Sequence, residues 1–240
     1  MTLREVVKYL QRYMNKLGEN LTVDGQFGPV TAAAFDKYDI TLTKKVVIPE
    51  QPKPASKNPP WYDEAKKYQG KKETDPEFNK EMSKKWSLFG MNLGTISQSW
   101  AAWCGLAMAV ALSGVGIDYA KNGALARNWA KYGVGINWQQ DGIPKGAIIH
   151  INHAGDCKSS SNNHVAQAEG DCTVEDLKAP GAYIDLYGGN QGNTWKVSTF
   201  PVKEICEVRW PKDVKDYPKP GPITKSDKCS SKKPSGDSTR

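Results

Sequence analysis

The sequence predicts an α+β protein whose helices come first and whose antiparallel β-sheet follows. Apolar residues recur at helical spacing up to about residue 133. Short β-rich runs then follow one another between residues 143 and 210, and their short connections favour antiparallel pairing. A proline-rich stretch near residue 50 separates a small all-α module from this larger part. We therefore expect two domains of unequal size.

Composition limits the classes of partner. The chain has 240 residues and eight Trp, which is enough material for a substantial core. Its net charge of +7 favours an anionic partner. The basic residues are scattered and the common nucleic-acid motifs are missing, so we do not predict nucleic-acid binding. The longest apolar run is too short to span a bilayer, and no secretory signal opens the sequence. We expect no stable membrane insertion.

Residues 1–43 are predicted to form a compact helical module. Helical spacing from Val6 to Leu17 predicts a first helix that ends at Gly18, and residues 32–35 predict a second. The shared pattern runs from Leu10-Gln11 through Val23-Asp24-Gly25-x-Phe27-Gly28-Pro29-x-Thr31 to Ala34-Phe35. It resembles the three-helix peptidoglycan-binding domain of many cell-wall hydrolases. The resemblance implies that this module binds bacterial peptidoglycan, although most of the matching residues are structural.

Two segments lack the apolar residues that a core needs. Residues 44–60 contain five prolines and four lysines, a composition that predicts an extended, semi-rigid linker. Residues 212–240 are rich in Pro, Lys, Ser and Asp, so burial cannot offset the entropy of ordering them. We predict a flexible basic tail there.

Residues 61–211 carry the remaining elements. Helices are predicted over residues 61–70, 78–86, 104–112 and 122–133, and Gly114 and Gly116 end the third of them. Residues 143–151 predict a turn followed by a first strand, and further strands are predicted over residues 164–169, 182–187, 195–200 and 205–210. The polar residues 152–163 predict a loop between the first two strands.

Cys104 opens the most apolar of these helices. Unpaired N–H groups and the positive end of the helix dipole favour a thiolate in a first turn, which is what a cysteine nucleophile needs. The residue can equally be a small core residue that happens to be cysteine.

A nucleophilic cysteine needs a base and a group that orients the base. Of the three histidines, His164 opens a strand and has the most suitable position, whereas His150 lies within a strand. His153 follows that strand and remains an alternative base. Asn190 follows residues 182–187 directly, where Gly188-Gly189 lets the backbone approach closely, so it is the predicted orienting residue. It can also be an ordinary turn asparagine.

A set of motifs occurs in a family-specific order along this part of the chain. They are Trp103-Cys104-Gly105, Ala124-Leu-Ala-Arg-Asn-Trp129, Pro144-x-Gly146, Asn163-His164-Val165 and Gly188-Gly-Asn-Gln191, flanked by Pro60-Trp61 and Val208-Arg209-Trp210-Pro211. Residues 60–211 thereby resemble CHAP domains, papain-like cysteine amidases and peptidases that are common in phage endolysins. The resemblance implies helices packed on an antiparallel sheet, with Cys104, His164 and Asn190 as the catalytic residues.

The resemblance implies a monomeric peptidoglycan hydrolase without a cofactor, made in the host cytoplasm and acting on the cell wall after release. It leaves open which amide bond is cut and whether the protein is an endolysin or a virion-associated lysin. Residues 88–99 contain no acidic residue, so we do not predict the calcium loop of some CHAP domains. A wall-binding protein with an inactive CHAP scaffold is the main alternative.

The cysteines and histidines allow two further interpretations. His150, His153, Cys157, His164 and Cys172 lie close together in the sequence and suggest zinc, although their spacing matches no common zinc motif. The protein would then be a zinc amidase. We expect the five cysteines to be mostly reduced at synthesis, with a Cys157–Cys172 disulfide as an option after release into an oxidising medium.

Overall fold

The computed structural model describes residues 3–16, 18–37, 58–98, 102–212, 214, 217, 219–227 and 229. The chain divides into two compact units, Met1–Lys53 and Pro54–Arg240. This boundary falls within residues 44–60, the predicted linker, most of which lies outside the described residues. No helix in the described part of the chain is both long enough and apolar enough to cross a membrane.

The first unit contains helices α1 (Leu3–Lys16) and α2 (Pro29–Lys37), which confirms both helices predicted there. Its core consists of Met14, Leu21, Ala34 and Phe35. The buried side chain of Gln11 donates to Asp24 Oδ1 over 3.0 Å and accepts the backbone N–H of Gly25 over 3.0 Å. One amide therefore fixes the turn between the helices. The third helix implied by the resemblance is not among residues 3–37, and the rest of that module lies outside the described residues.

The second unit is α+β, as predicted. Its helices are α3 (Pro60–Lys66), α4 (Pro76–Lys84), α5 (Cys104–Gly114), α6 (Trp138–Asp141) and α7 (Val174–Lys178). The predicted helix over residues 122–133 is wrong, because only the 3₁₀ segment Ala126–Lys131 forms there. Asn128 Nδ2 and Trp129 Nε1 donate to the carbonyls of Asn122 and Gly123, and these side-chain contacts hold the segment in its shorter form.

Six antiparallel strands form one sheet in the order β1-β6-β2-β3-β4-β5. They are β1 (Val134–Gly135), β2 (Ile148–Asn152), β3 (Asn163–Ala168), β4 (Tyr183–Gly188), β5 (Lys196–Pro201) and β6 (Ile205–Trp210). All five predicted strands are confirmed, and the two-residue β1 was not predicted. Strands β3 and β4 pair through Gln167 and Ala168. This pairing does not extend to the His164 end of β3.

Helix α5 lies at the centre of the second unit. Its residues from Cys104 to Leu112 are all buried, and it packs against α3, β3 and β4. A Cβ at Gly105 would lie 2.0 Å from the carbonyl oxygen of Gly123, so only glycine permits this close approach. The beginning of α5 is thus held inside the core.

Two disulfides correct one expectation about the cysteines. Cys157 is bonded to Cys206, and Cys172 is bonded to Cys229, which leaves Cys104 as the free cysteine. The optional Cys157–Cys172 pair is therefore wrong, whereas the expectation that the cysteines are reduced at synthesis stays a prediction. The spacing of cysteines along a sequence cannot determine their connectivity.

The described residues of the predicted flexible tail are joined to the second unit. The Tyr217 ring lies 6.2 Å from that of Trp61, measured between centroids. The backbone N–H groups of Ile223 and Asp227 donate to Asp141 and Asp171 over 2.7 and 2.9 Å. Together with the disulfide from Cys229, these contacts hold the described part of this segment on the second unit. Residues 230–240 lie outside the described residues.

We predict that the double variant Cys172→Ser/Cys229→Ser loses about 2–4 kcal/mol of unfolding free energy, because the bond closes a 57-residue separation. Urea unfolding followed by Trp fluorescence measures this, since all eight Trp lie in the second unit. With dithiothreitol present, variant and wild type should unfold at the same urea concentration. Equal stability under oxidising conditions would contradict the structural role of this bond.

Candidate active site

Cys104 is the first residue of α5, and Trp103 before it is the N-cap. No side chain caps the helix, so its first backbone N–H groups stay available at the positive end of the helix dipole. The Cys104 side chain is nearly closed to solvent, with an exposed fraction of 2% for the residue. The sequence therefore predicted the position of Cys104 on the helix correctly.

The environment of Cys104 favours the neutral thiol. Burial is the largest influence and raises the pKa of the Cys104 thiol above its ordinary value. The backbone N–H groups of Val165, Gly105 and Cys104 itself lower the pKa, because they favour a thiolate. The contribution from Val165 places the beginning of β3 beside the sulfur.

His164 is the second residue of β3, directly before Val165. It is buried, and its Nε2 atom has no hydrogen-bond partner within the described part of the chain. Burial, together with the charges of His153 and His150, lowers the pKa of His164 to about 3. The imidazole is therefore neutral at physiological pH, and in this buried state it is a weak proton acceptor.

Asn190 follows β4 in a left-handed backbone conformation, with φ of 60°. Its neighbour Gly189 shows where this segment lies. A Cβ at Gly189 would come within 2.2 Å of Trp103 Cζ3 and 2.6 Å of Ala107 Cβ. The Gly189 backbone is thus pressed against the first turn of α5, which is the close approach predicted for this segment, whereas Gly188 lies against Ala166 of β3.

The structure thereby brings three predicted segments together at the N-terminus of α5. Val165 and Gly189, the sequence neighbours of His164 and Asn190, both contact that end of the helix. The side chains themselves are not engaged. Among the described residues, no hydrogen bond joins His164 to Cys104 or to Asn190. The site is closed: the neighbours of His164 and Asn190 contact the beginning of α5, and burial favours the neutral forms of Cys104 and His164.

The other histidines have identifiable partners. His150 lies in β2, as predicted, and its Nε2 is 2.8 Å from Asn163 Oδ1. His153 follows β2, and its Nδ1 is 3.3 Å from Glu204 Oε2. The rings of His153 and His164 are roughly parallel, with centroids 6.1 Å apart, and Phe200 packs 5.6 Å from His164. His153 is therefore a neighbour of the predicted base.

Sequence analysis missed one residue beside this site. Glu73 Oε2 accepts a hydrogen bond from Trp103 Nε1 over 3.0 Å, and thereby holds the N-cap of α5. The backbone N–H of Glu73 donates to Asn193 over 3.0 Å. Glu73 lies in a polar segment without a motif, so no local signal distinguishes it from an ordinary surface carboxylate.

The suggested zinc ligands do not form a site. Cys157 and Cys172 are bonded to other cysteines and cannot act as thiolate ligands. Within the described ranges, no three His, Cys, Asp or Glu residues are grouped so that they could hold a metal ion.

We predict that Gly189→Ala destabilises the protein by about 1–3 kcal/mol and lowers, by at least about tenfold, the wall-hydrolase activity that the sequence resemblance implies. The added methyl group would overlap Trp103 and Ala107, so the first turn of α5 must shift. Turbidity clearance of purified walls and urea unfolding measure the two effects.

Gly221→Ala is the matched control, because a Cβ there meets no atom within 4 Å. It should leave activity and stability unchanged. A Gly189→Ala variant that behaves like this control would show that the Gly189 segment does not position α5.

We predict that His164→Gln reduces the acid sensitivity of folding. Between pH 6.5 and about 3, the unfolded chain binds a proton at His164 that the folded chain excludes, since the folded pKa is about 3. Stability is therefore complete above pH 6.5 and falls as the pH decreases, by up to about 1.4 kcal/mol per pH unit from this group.

Urea unfolding at intervals from pH 7 to pH 4 measures this slope. The His164→Gln variant should show a shallower slope than wild type, while Asn190→Ala, which removes no titrating group, should keep the wild-type slope. The pKa of His150 is also lowered by burial, so His150 contributes part of the slope that remains in the His164→Gln variant. Equal slopes for His164→Gln and wild type would contradict the burial of a neutral His164.

Comparison with known proteins gives no relative from which this site could be interpreted. The chain matches no protein-family model, no curated protein and no solved structure. Function must therefore be argued from the residues and from the contacts that they make.

Proposed function

We propose that the protein is a peptidoglycan hydrolase, an endolysin-like cysteine enzyme that cuts an amide bond in or at the peptide stem. One observation carries this proposal. A buried helix begins at Cys104, and the segments that contain His164 and Asn190 both pack against its beginning. Nucleophile, base and orienting residue are the three parts that cysteine amide hydrolysis needs.

The neutral state of the pair suggests how the reaction begins. As the Cys104 sulfur attacks the carbonyl carbon, His164 takes the thiol proton, and the resulting oxyanion accepts the backbone N–H of Cys104. The intermediate collapses to a thioester, and the imidazolium of His164 gives its proton to the leaving amine. Water, deprotonated by His164, then hydrolyses the thioester and frees the Cys104 thiol.

Asn190 would orient the His164 ring in this mechanism. The buried Nε2 of His164 has no hydrogen-bond partner among the described residues, so this nitrogen is free to form a hydrogen bond. Catalytic hydrogen bonds are often long in the absence of substrate and shorten when substrate binds. We infer that substrate binding brings the Asn190 amide to this nitrogen.

The first unit suits attachment to the wall. Tyr9, Tyr13 and Phe27 are large exposed side chains, and aromatic rings offer apolar faces on which sugar rings can pack. A cleft of about 510 Å³ lies beside Phe27, between the start of α1 and the turn at Gly25. Binding there would raise the local concentration of the enzyme at its substrate, and the basic net charge would help at anionic walls.

The disulfides support action outside the cytoplasm. Cys157–Cys206 and Cys172–Cys229 are bonds that form and persist in oxidising compartments. A lysin that is made in the host cytoplasm and released to the wall would close them after release.

We predict that Cys104→Ser lowers the rate of wall lysis by several orders of magnitude while the protein stays folded and still sediments with purified walls. The hydroxyl occupies nearly the same volume but is a far weaker nucleophile. Turbidity measures lysis, and mass spectrometry of the digested muropeptides identifies the new amino terminus and so the bond that is cut.

Two controls accompany this variant. Iodoacetamide should react slowly with the buried thiol of Cys104, the free cysteine, and activity should fall in step with that slow alkylation. A chelator should leave wild-type activity unchanged. Lysis by Cys104→Ser at the wild-type rate would exclude the thiol mechanism, and a wild type that binds walls without releasing peptides would favour the inactive scaffold.

A further inference from the structure

A groove of about 690 Å³ lies on the second unit, along α4 and the segment 92–97. Its lining includes Glu73, Asn79, Lys80, Ser83 and Lys84. Hydrogen bonds connect the two sides of the groove, α4 and the segment 92–97. Ser83 Oγ donates to Asn79 Oδ1 over 3.1 Å and accepts the backbone N–H of Ile96 over 3.1 Å. These contacts join α4 to the facing segment.

The groove begins beside the candidate nucleophile. Glu73 lines it, and the Glu73 carboxylate accepts the hydrogen bond from Trp103, the residue before Cys104. Asn79 Nδ2 donates to the carbonyl of Glu73 over 2.7 Å, so the same residue is anchored to α4. Glu73 therefore joins the wall of the groove to the N-cap of the helix that carries Cys104.

Two lysines give the groove its charge. Lys80 and Lys84 are one helical turn apart on α4, so they lie on the same face. Both are exposed, and neither forms an ion pair with any described residue. Among the described residues, Glu73 is the one carboxylate that lines the groove, and its hydrogen bond from the neutral indole of Trp103 leaves its negative charge in place. Two lysines against one carboxylate give the lining a net positive charge, which suits a ligand with carboxylates.

We propose that this groove binds the peptide stem of peptidoglycan and that Lys80 and Lys84 bind its free carboxylates. The inference rests on the proposed function and adds the part of the substrate that determines specificity. Peptides of the cell wall carry free carboxylates on side chains and at chain ends, and amidation of these groups removes the charge. The enzyme would accordingly prefer stems that are not amidated.

The test compares soluble muropeptides with free and with amidated carboxylates, using the full chain. On the free substrate, Lys80→Gln/Lys84→Gln should raise KM about tenfold, the combined effect of two exposed ion pairs, and should leave kcat within about twofold. On the amidated substrate, wild type should show the high KM already, and the double variant should lose little more.

Lys121→Gln/Lys131→Gln is the matched control, because it removes the same charge from exposed lysines outside the groove. It should keep the wild-type KM on both substrates. A Lys80→Gln/Lys84→Gln variant that equals this control overturns the inference, and so does a rise in KM of the same size on the amidated substrate.

These failures differ from failure of the proposed function. If wild type cleaves muropeptides in a Cys104-dependent manner while the groove variants act like the control, only the groove assignment falls. If wild type cleaves no muropeptide, or if Cys104→Ser cleaves at the wild-type rate, the proposed function falls and the inference falls with it.

Discussion

The site depends on three close contacts that the first turn of α5 makes with other segments. A Cβ at Gly105 would lie 2.0 Å from the carbonyl oxygen of Gly123, and a Cβ at Gly189 would lie 2.2 Å from the Trp103 ring. A side chain at either position would therefore displace this turn from its neighbour. The hydrogen bond from the Trp103 indole to the Glu73 carboxylate is the third contact. Together, the segments of Gly123, Gly189 and Glu73 determine where Cys104 lies.

Much of this arrangement could be predicted from local sequence, because its signals are local. The apolar run after Cys104 predicts a buried helix, and the β-rich runs predict the five longer strands with small errors at their ends. The features that could not be predicted depend on contacts between distant residues. Trp129 and Asn128 hold a 3₁₀ segment where the residue pattern favours an α-helix. The polar segment near Cys229 is held to the domain by a bond to Cys172 and by backbone hydrogen bonds. Composition alone predicts a disordered tail there, because composition contains no information about a distant partner.

Burial shapes the electrostatics of the candidate site more than any single charge does. It is the largest cause of the raised pKa of Cys104 and of the lowered pKa of His164, so it opposes charge on both. In the folded protein, Cys104 is a thiol and His164 is a neutral imidazole. The proposed reaction starts with the transfer of one proton from Cys104 to His164. No ion has to be buried before substrate arrives, which avoids the cost of desolvating an isolated charge. The His153 and Glu204 pair beside the ring keeps a further titrating group near His164.

The same burial explains how a nucleophilic thiol can coexist with two disulfides. Four of the five cysteines are oxidised, and Cys104 alone remains free. Thiol–disulfide exchange and oxidation require a thiolate that is accessible to the attacking or attacked sulfur. Cys104 is not accessible, because the residue is 2% exposed, and its raised pKa disfavours the thiolate. Under the proposed mechanism, the thiol becomes reactive when a substrate amide lies against it and His164 takes its proton. Under that mechanism, burial keeps the Cys104 thiol reduced without a reducing partner.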